Sequence, residues 1–165
     1  MITLKRILVA TDFGEAADAA LRYGGELART FDAKLDVLHV VENVFARAIG
    51  VEGYVDTYSE IQRDLEDAAR NQLHRLVNDA DRALPDARAV IRTSNSPALE
   101  IVTYARDANV DLIVMGTYGR GAVAHLLMGS VAERAVRTAS CPVLTVRCPK
   151  HEFVRPNGSV AIATA

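Results

Sequence analysis

Residues 114–136 read VMGTYGRGAVAHLLMGSVAERAV. An apolar run, Leu112–Met115, leads into Gly116, Gly119, Gly121 and Gly129, and then into Ser130 and a helix-like stretch. Glycines at 116, 119 and 121 permit positive φ and close backbone approach. A helix start offers free N–H groups and the positive end of a dipole, which suits a phosphate. Ser130 donates a hydroxyl to the same oxygens, or caps its own helix. A tight turn followed by a capped helix explains the stretch without any ligand. The remainder of the chain has to decide between the two.

Working outward, the chain alternates strand and helix. RILVATD (6–12) is a buried strand, because Ile7–Ala10 is apolar without alternation and so has both faces covered. From Glu15 to Phe31 the period changes: Ala17, Leu21, Gly24, Ala28 and Phe31 recur at three and four, the pattern of a helix packed on a sheet. KLDVLHVV (34–41) is the second strand. Residues 42–58, with Gly50 and Gly53, have no clean period and read as a long crossover loop, a candidate lid over any ligand. Ile61, Leu65, Ala69, Leu73, Leu76 and Leu84 mark a second helix that Pro85 ends. ARAVIRT (87–93) is the third strand, and Ser96-Pro97 starts the third helix with a cap and a first-turn proline. VDLIVMG (110–116) is the fourth and most apolar strand. Ser130–Thr138 is the last helix, with Val131, Ala135 and Val136 inward, and CPVLTVR (141–147) is the last strand.

The order βαβαβαβαβ predicts an α/β fold: one mainly parallel sheet with helices on both faces, a three-layer α/β/α sandwich. Ligands of such sheets bind beyond the carboxyl ends of the strands, where strand order reverses. The glycine stretch follows the fourth strand and therefore lies on that edge. One domain is expected over residues 1–148, with 149–165 as an extended or flexible tail.

Composition narrows the function. The chain has 165 residues, 50% of them hydrophobic, enough for one sizeable core. A formal net charge of −2 and basic residues that alternate with acids argue against a nucleic-acid partner. No run approaches the ~18 apolar residues of a membrane span. Cys141 and Cys148 flank the last strand, about 20 Å apart if it is extended. That is far beyond the ~7 Å a disulfide spans, so a reduced, cytoplasmic chain is expected.

Two nucleotide folds are excluded. A phosphate-binding loop of the Gly-x4-Gly-Lys-Ser/Thr type would follow the first strand, where ATDFGEAADAA stands. The Gly-x-Gly-x-x-Gly fingerprint is missing from the same place. The displaced signature Gly116-x2-Gly119-x9-Gly129-Ser130 instead resembles that of the universal stress protein family. RILVATD at 6–12, LHV at 38–40, DLIVMGTYGRG at 111–121 and SCPVLTVR at 140–147 resemble its flanking blocks in the same order.

The resemblance implies an adenine-nucleotide α-hydrolase-like sheet of five parallel strands in order 3-2-1-4-5. It implies homodimers paired through the last strand, residues 142–147, and ATP binding in the subfamily that carries the full signature; Mg2+ is expected as a companion of the ATP. Carried over, Ala10, Thr11 and Asp12 line the adenosine site, Val40 contacts adenine, and Met115 and Gly116 lie beside the ribose. Gly119, Gly129, Ser130 and Val131 surround the phosphates. Arg120 pairs with a phosphate or is solvated. Ala10, Tyr118 and Ala132 stand where many family members have proline, histidine and a hydroxyl residue, and Asn95 replaces a frequent glycine.

Other residues have plainer readings. Asp12 caps a helix or holds adenosine. His39 is packed or hydrogen-bonded at the core edge. His74, His125 and His151 form no ligand spacing with the cysteines. No carboxylate pair or triad emerges. The expected function is therefore a nucleotide-dependent stress or signalling protein that hydrolyses ATP slowly at most. The rivals are a dimeric adaptor with no nucleotide and a flavin-binding redox protein.

Overall fold

A computed structural model describes residues 1–47, 55–79, 84, 86–119 and 128–147. The elements are β1 (Arg6–Ala10), α1 (Glu15–Phe31), β2 (Lys34–Val41), α2 (Val55–Val77), β3 (Ala87–Thr93), α3 (Pro97–Asp107), β4 (Leu112–Gly116), α4 (Ser130–Thr138) and β5 (Val143–Val146). The five strands form one parallel sheet in the order β3-β2-β1-β4-β5. The sandwich expected from the order of elements is the one found.

Alternation along the strands divides the core in two. Ile7, Val9, Leu35, Val37 and Val114 join α1 and Leu73 of α2 on one face. Leu8, Ala10, Leu38, Ile113 and Met115 join Ile101, Tyr104 and Ala105 of α3 and Ala132 and Ala135 of α4 on the other. Both faces of β1 are buried, which is why its four apolar residues run without a polar break.

Four local expectations are corrected. Residues 42–58 are not one irregular loop: Val44–Arg47 is a 3-10 turn, and α2 starts at Val55, with Asp56 in its first turn, where a negative charge favours a helix. The stretch 48–54 lies outside the described residues. The base of the segment is held at both sides. Asn43 N–H donates to Asn95 Oδ1 (2.9 Å), Asn95 Nδ2 donates to Asn43 O (3.0 Å), and Val44 N–H donates to Gln62 Oε1 (2.9 Å).

Secondly, α2 ends at Val77 and not at Leu84. Asn78 N–H makes a last helical bond to His74 O, and Asn78-Asp79 favours leaving the helix. Leu84 still packs on the core, from beyond the helix. At the other end of α2 the inward residue is Gln62, not the expected Ile61 and Leu65, which are 43% and 42% exposed. Gln62, Ala69 and Leu73 share the buried face because seven and four residues return to the same side of a helix. Thirdly, α4 buries Ala132 and Ala135, with Val131 half-buried, whereas Val136 turns outward. Fourthly, Ser96 occupies the cap position of α3 before Pro97 but its side chain makes no cap bond.

A polar cluster closes the amino end of the second face. Asp36 is buried within β2. It accepts Arg88 Nε (3.0 Å), Arg88 Nη2 (3.2 Å) and Tyr104 Oη (2.9 Å). The hydrogen bond to Asp36 raises the Arg88 pKa, and burial, ahead of Asp36, raises that of Tyr104.

Candidate functional site

The strand order reverses between β1 and β4, so the connections leaving their carboxyl ends run to opposite faces, to α1 and to α4, and leave a crevice. A cavity of about 500 Å³ opens there, in the ~300–1,000 Å³ range of small-molecule sites. Ten of the eleven residues singled out in the sequence line it: Ala10, Thr11, Asp12, Val40, Met115, Gly116, Gly119, Gly129, Ser130 and Val131. The eleventh, Arg120, lies outside the described residues, as do Gly121, His125, Cys148 and the tail.

The turn after β1 presents Asp12. Thr11 N–H continues the ladder to Leu38 O (2.9 Å). Phe13 N–H then donates to Thr11 Oγ1 (3.0 Å) and Gly14 N–H to Asp12 Oδ1 (3.0 Å), two side-chain turns in succession. They hold Phe13 at φ 62°, a conformation that strains a bulky residue. Its ring packs against His39, 4.4 Å between centroids. The His39 Nδ1 lies 2.8 Å from Thr11 O. A carbonyl only accepts, so the proton is on Nδ1. His39 is hydrogen-bonded, as expected, but it also lines the cavity.

The glycine stretch lines the same cavity, and its glycines serve proximity more than handedness. None of the three described ones has φ in the left-handed region, so of the two freedoms noted for 116 and 119 it is close approach that is used. A Cβ on Gly116 would stand 2.9 Å from the carbonyl carbon and Cβ of Ala16, so β4 meets the start of α1 only because the side chain is missing. A Cβ on Gly119 would stand 2.9 Å from Asp12 Oδ2. A Cβ on Gly129 would stand 3.3 Å from Thr117 O and Tyr118 Cα. Gly129 N–H donates to Thr117 O, binding the loop after β4 to the start of α4.

Gly129 caps α4 without a side chain, and Glu133 N–H reaches back to Gly129 O. The N–H groups of the first turn have no partner within the helix. That turn, Ser130 to Ala132, lines the cavity, as Asp12 does. The floor is apolar, from Leu38, Val40, Ile101 and Met115. The arrangement suits a flat apolar group on the floor and an anion at the helix start. Among the described residues no three His, Cys, Asp or Glu side chains converge as a metal site, and Asp12 is the carboxylate of the cavity.

Leu38, Pro97, Ile101 and Thr117 also line the cavity and were not anticipated. Leu38 was within reach, since it lies two residues before Val40 on the same strand face. Pro97 and Ile101 are one helical turn apart, a spacing that predicts a shared face but not what the face meets. Asn95 was expected to affect only its turn, yet it clasps the chain leaving β2. Cys141 is half-buried, and burial raises its thiol pKa.

Residues 3–147 match the model of the universal stress protein family. The chain is 31% identical over 148 residues to universal stress protein MJ0531 of Methanocaldococcus jannaschii, covering 90% of this chain and 85% of that one. Among solved structures it superimposes on protein MJ0577 with a TM-score of 0.74 at 26% identity, covering 92% of this chain and all of that chain. The universal stress protein of Archaeoglobus fulgidus, solved in complex with dAMP, shares the fold with a TM-score of 0.54 at 20% identity over 88% of this chain and 99% of that one.

Proposed function

The chain belongs to the universal stress protein family, and from that premise we propose that it is an ATP-binding regulator of a stress response. The observation that carries the reading is the cavity itself. It lies at the strand-order reversal, has an apolar floor, and is lined by the start of α4 and by Asp12. The dAMP complex of the Archaeoglobus fulgidus protein supports an adenine nucleotide as the ligand class.

In this reading adenine rests on the floor against Val40, beside Ala10 and Thr11, while Met115 and Gly116 flank the ribose. Asp12 holds the ribose edge and contributes to a Mg2+ ion that arrives with the phosphates. Gly119, Gly129, Ser130 and Val131 receive the phosphates, because N–H groups and a dipole end favour anionic oxygens. Binding acts by changing the protein's surface or assembly, and the protein is not a dedicated catalyst. Assembly is through β5: it is an edge strand, and Leu144 on it is exposed. A symmetry mate paired along 142–147 would cover both edges.

Calorimetric titration with ATP and Mg2+ tests the reading. Saturable binding below millimolar concentration is expected. Its failure in protein purified free of nucleotide would leave the dimeric adaptor, with Ser130 reduced to a helix start.

A further inference from the structure

The turn that presents Asp12 is held from a neighbouring strand. The paired register of β1 and β2 ends at Ala10 and Leu38. Beyond that register the Thr11 carbonyl accepts the Nδ1–H of His39, at 2.8 Å. This carbonyl belongs to the same planar peptide unit as the Asp12 N–H, so holding it fixes the direction in which the chain leaves β1. The His39 ring also lies against Phe13, 4.4 Å between centroids. Phe13 has φ 62°, a conformation that a bulky residue keeps only where its surroundings impose it. One side chain therefore touches the residues on both sides of Asp12. The carboxylate between them has little latitude. Its Oδ1 accepts Gly14 N–H at 3.0 Å, and its Oδ2 lies where a Cβ on Gly119 would come within 2.9 Å. His39, Thr11 and Asp12 all line the cavity, and Phe13 packs on the core beside α1, so the imidazole ties the cavity wall to the core.

We propose that His39 is a positioning residue for Asp12. By holding the Thr11 carbonyl and backing the Phe13 ring it presets the turn, so that the carboxylate meets its ligand without reordering the chain. Pre-organisation of this kind raises affinity by lowering what binding costs. The inference rests on the nucleotide reading above, which gives Asp12 its task. It adds a residue that acts through Asp12 rather than on the ligand, and the group that matters is the Nδ1–H.

The test uses His39→Phe, which keeps a ring against Phe13 and removes the donor, and His39→Asn, whose amide N–H stands close to the place of Nδ1–H. ATP with Mg2+ is titrated into the wild type and both variants, and into Asp12→Ala with and without His39→Phe. His39→Phe should bind ATP about tenfold more weakly, within the loss that an Asp12 bond to a charged group can carry. His39→Asn should stay within about threefold of the wild type, since the donor is kept. In the Asp12→Ala background His39→Phe should change affinity less than about twofold, because no carboxylate is left to position. Nitrogen NMR of the ligand-free protein should place the proton of the neutral ring on Nδ1. The same loss in both backgrounds would make His39 a contact of the ligand or of the cavity's shape, and would overturn the proposal. So would wild-type affinity in His39→Phe, equal weakness in His39→Asn, or a neutral ring protonated on Nε2. Should His39→Phe fail to fold, His39→Gln, whose amide extends to the place of Nε2, is read against His39→Asn. If the wild type binds no ATP, the nucleotide reading and this inference fall together. If it binds and the losses add, only this inference falls.

Discussion

Gly119→Ala puts a methyl group where the Asp12 carboxylate stands. The added carbon would lie 2.9 Å from Asp12 Oδ2 and 3.9 Å from its Cγ. That is closer than ordinary contact by about half an ångström. Asp12 cannot simply withdraw, because Gly14 N–H holds its Oδ1 at 3.0 Å. The carboxylate must turn about that anchor, an off-rotamer displacement of about 0.5–1.5 kcal/mol. Turning also removes it from the ligand, worth about 1.5–3 kcal/mol for a bond to a charged group. The off-rotamer cost falls on the fold, and the loss at the ligand, about 2 kcal/mol, corresponds to about thirtyfold in ATP affinity. The fold should hold within about 1 kcal/mol, since the backbone at 119 lies outside the left-handed region and accepts alanine. The assay is a double-mutant cycle by calorimetry with wild type, Gly119→Ala, Asp12→Ala and the pair. Without the carboxylate there is nothing to displace, so Gly119→Ala should add almost nothing to Asp12→Ala. The same thirtyfold loss in the Asp12→Ala background, or wild-type affinity in the single variant, would refute the reasoning.

Ser130→Ala should weaken ATP binding about ten- to a hundredfold, as one hydroxyl bond to a charged acceptor is lost, with unfolding by urea unchanged. Asp36→Asn should lower stability by about 1–3 kcal/mol in urea, because it breaks the paired bonds from Arg88 and the acceptor of the buried Tyr104 hydroxyl. Tyr104 carries a pH signature: its raised pKa means that its contribution is complete below the unfolded value of 10.0 and is lost as pH rises through the folded one. Tyr104→Phe should therefore flatten the alkaline fall of stability in urea titrations. Light scattering at micromolar concentration should give about twice the 17.9 kDa chain mass, and Leu144→Lys on the exposed edge strand should return the protein to monomer.

The sheet was legible because burial on both faces leaves a coarse mark. Ile7–Ala10 and Leu112–Met115 are continuous apolar runs, and the α1 boundaries follow from a clean change of period. Residues were misassigned where a polar side chain takes an inward place. Gln62 faces the core because it satisfies the backbone of Val44, and a hydrophobic pattern counts it as outward, so Ile61 and Leu65 were assigned to the core in its stead. The start of α2 escaped notice because its first turns, Asp56 to Glu60, are exposed or half-buried and carry no apolar period. Within the cavity, residues carried by a contiguous motif were found, whereas Pro97 and Ile101 were not. They reach the site from a helix on another part of the chain, and only the packing of α3 beside β2 and α4 brings them there.

The glycine signature is usually a single pattern, yet its members answer to different forces in this chain. Gly116 is required by the approach of Ala16, and a ligand-free protein would need it equally. Gly119 makes room for Asp12, so its requirement is inherited from whatever Asp12 does. Gly129 has an ordinary extended backbone, φ −77° and ψ 155°, and a Cβ there would meet its neighbours at 3.3 Å, tight but within reach of a small adjustment. Packing therefore argues most strongly for glycine at 116 and least strongly at 129. In the proposed reading, glycine at 129 also leaves room for a group lying close against the start of α4. The proposed nucleotide reading therefore leans on the last pair of the motif, Gly129-Ser130, and on Asp12, which line the same cavity.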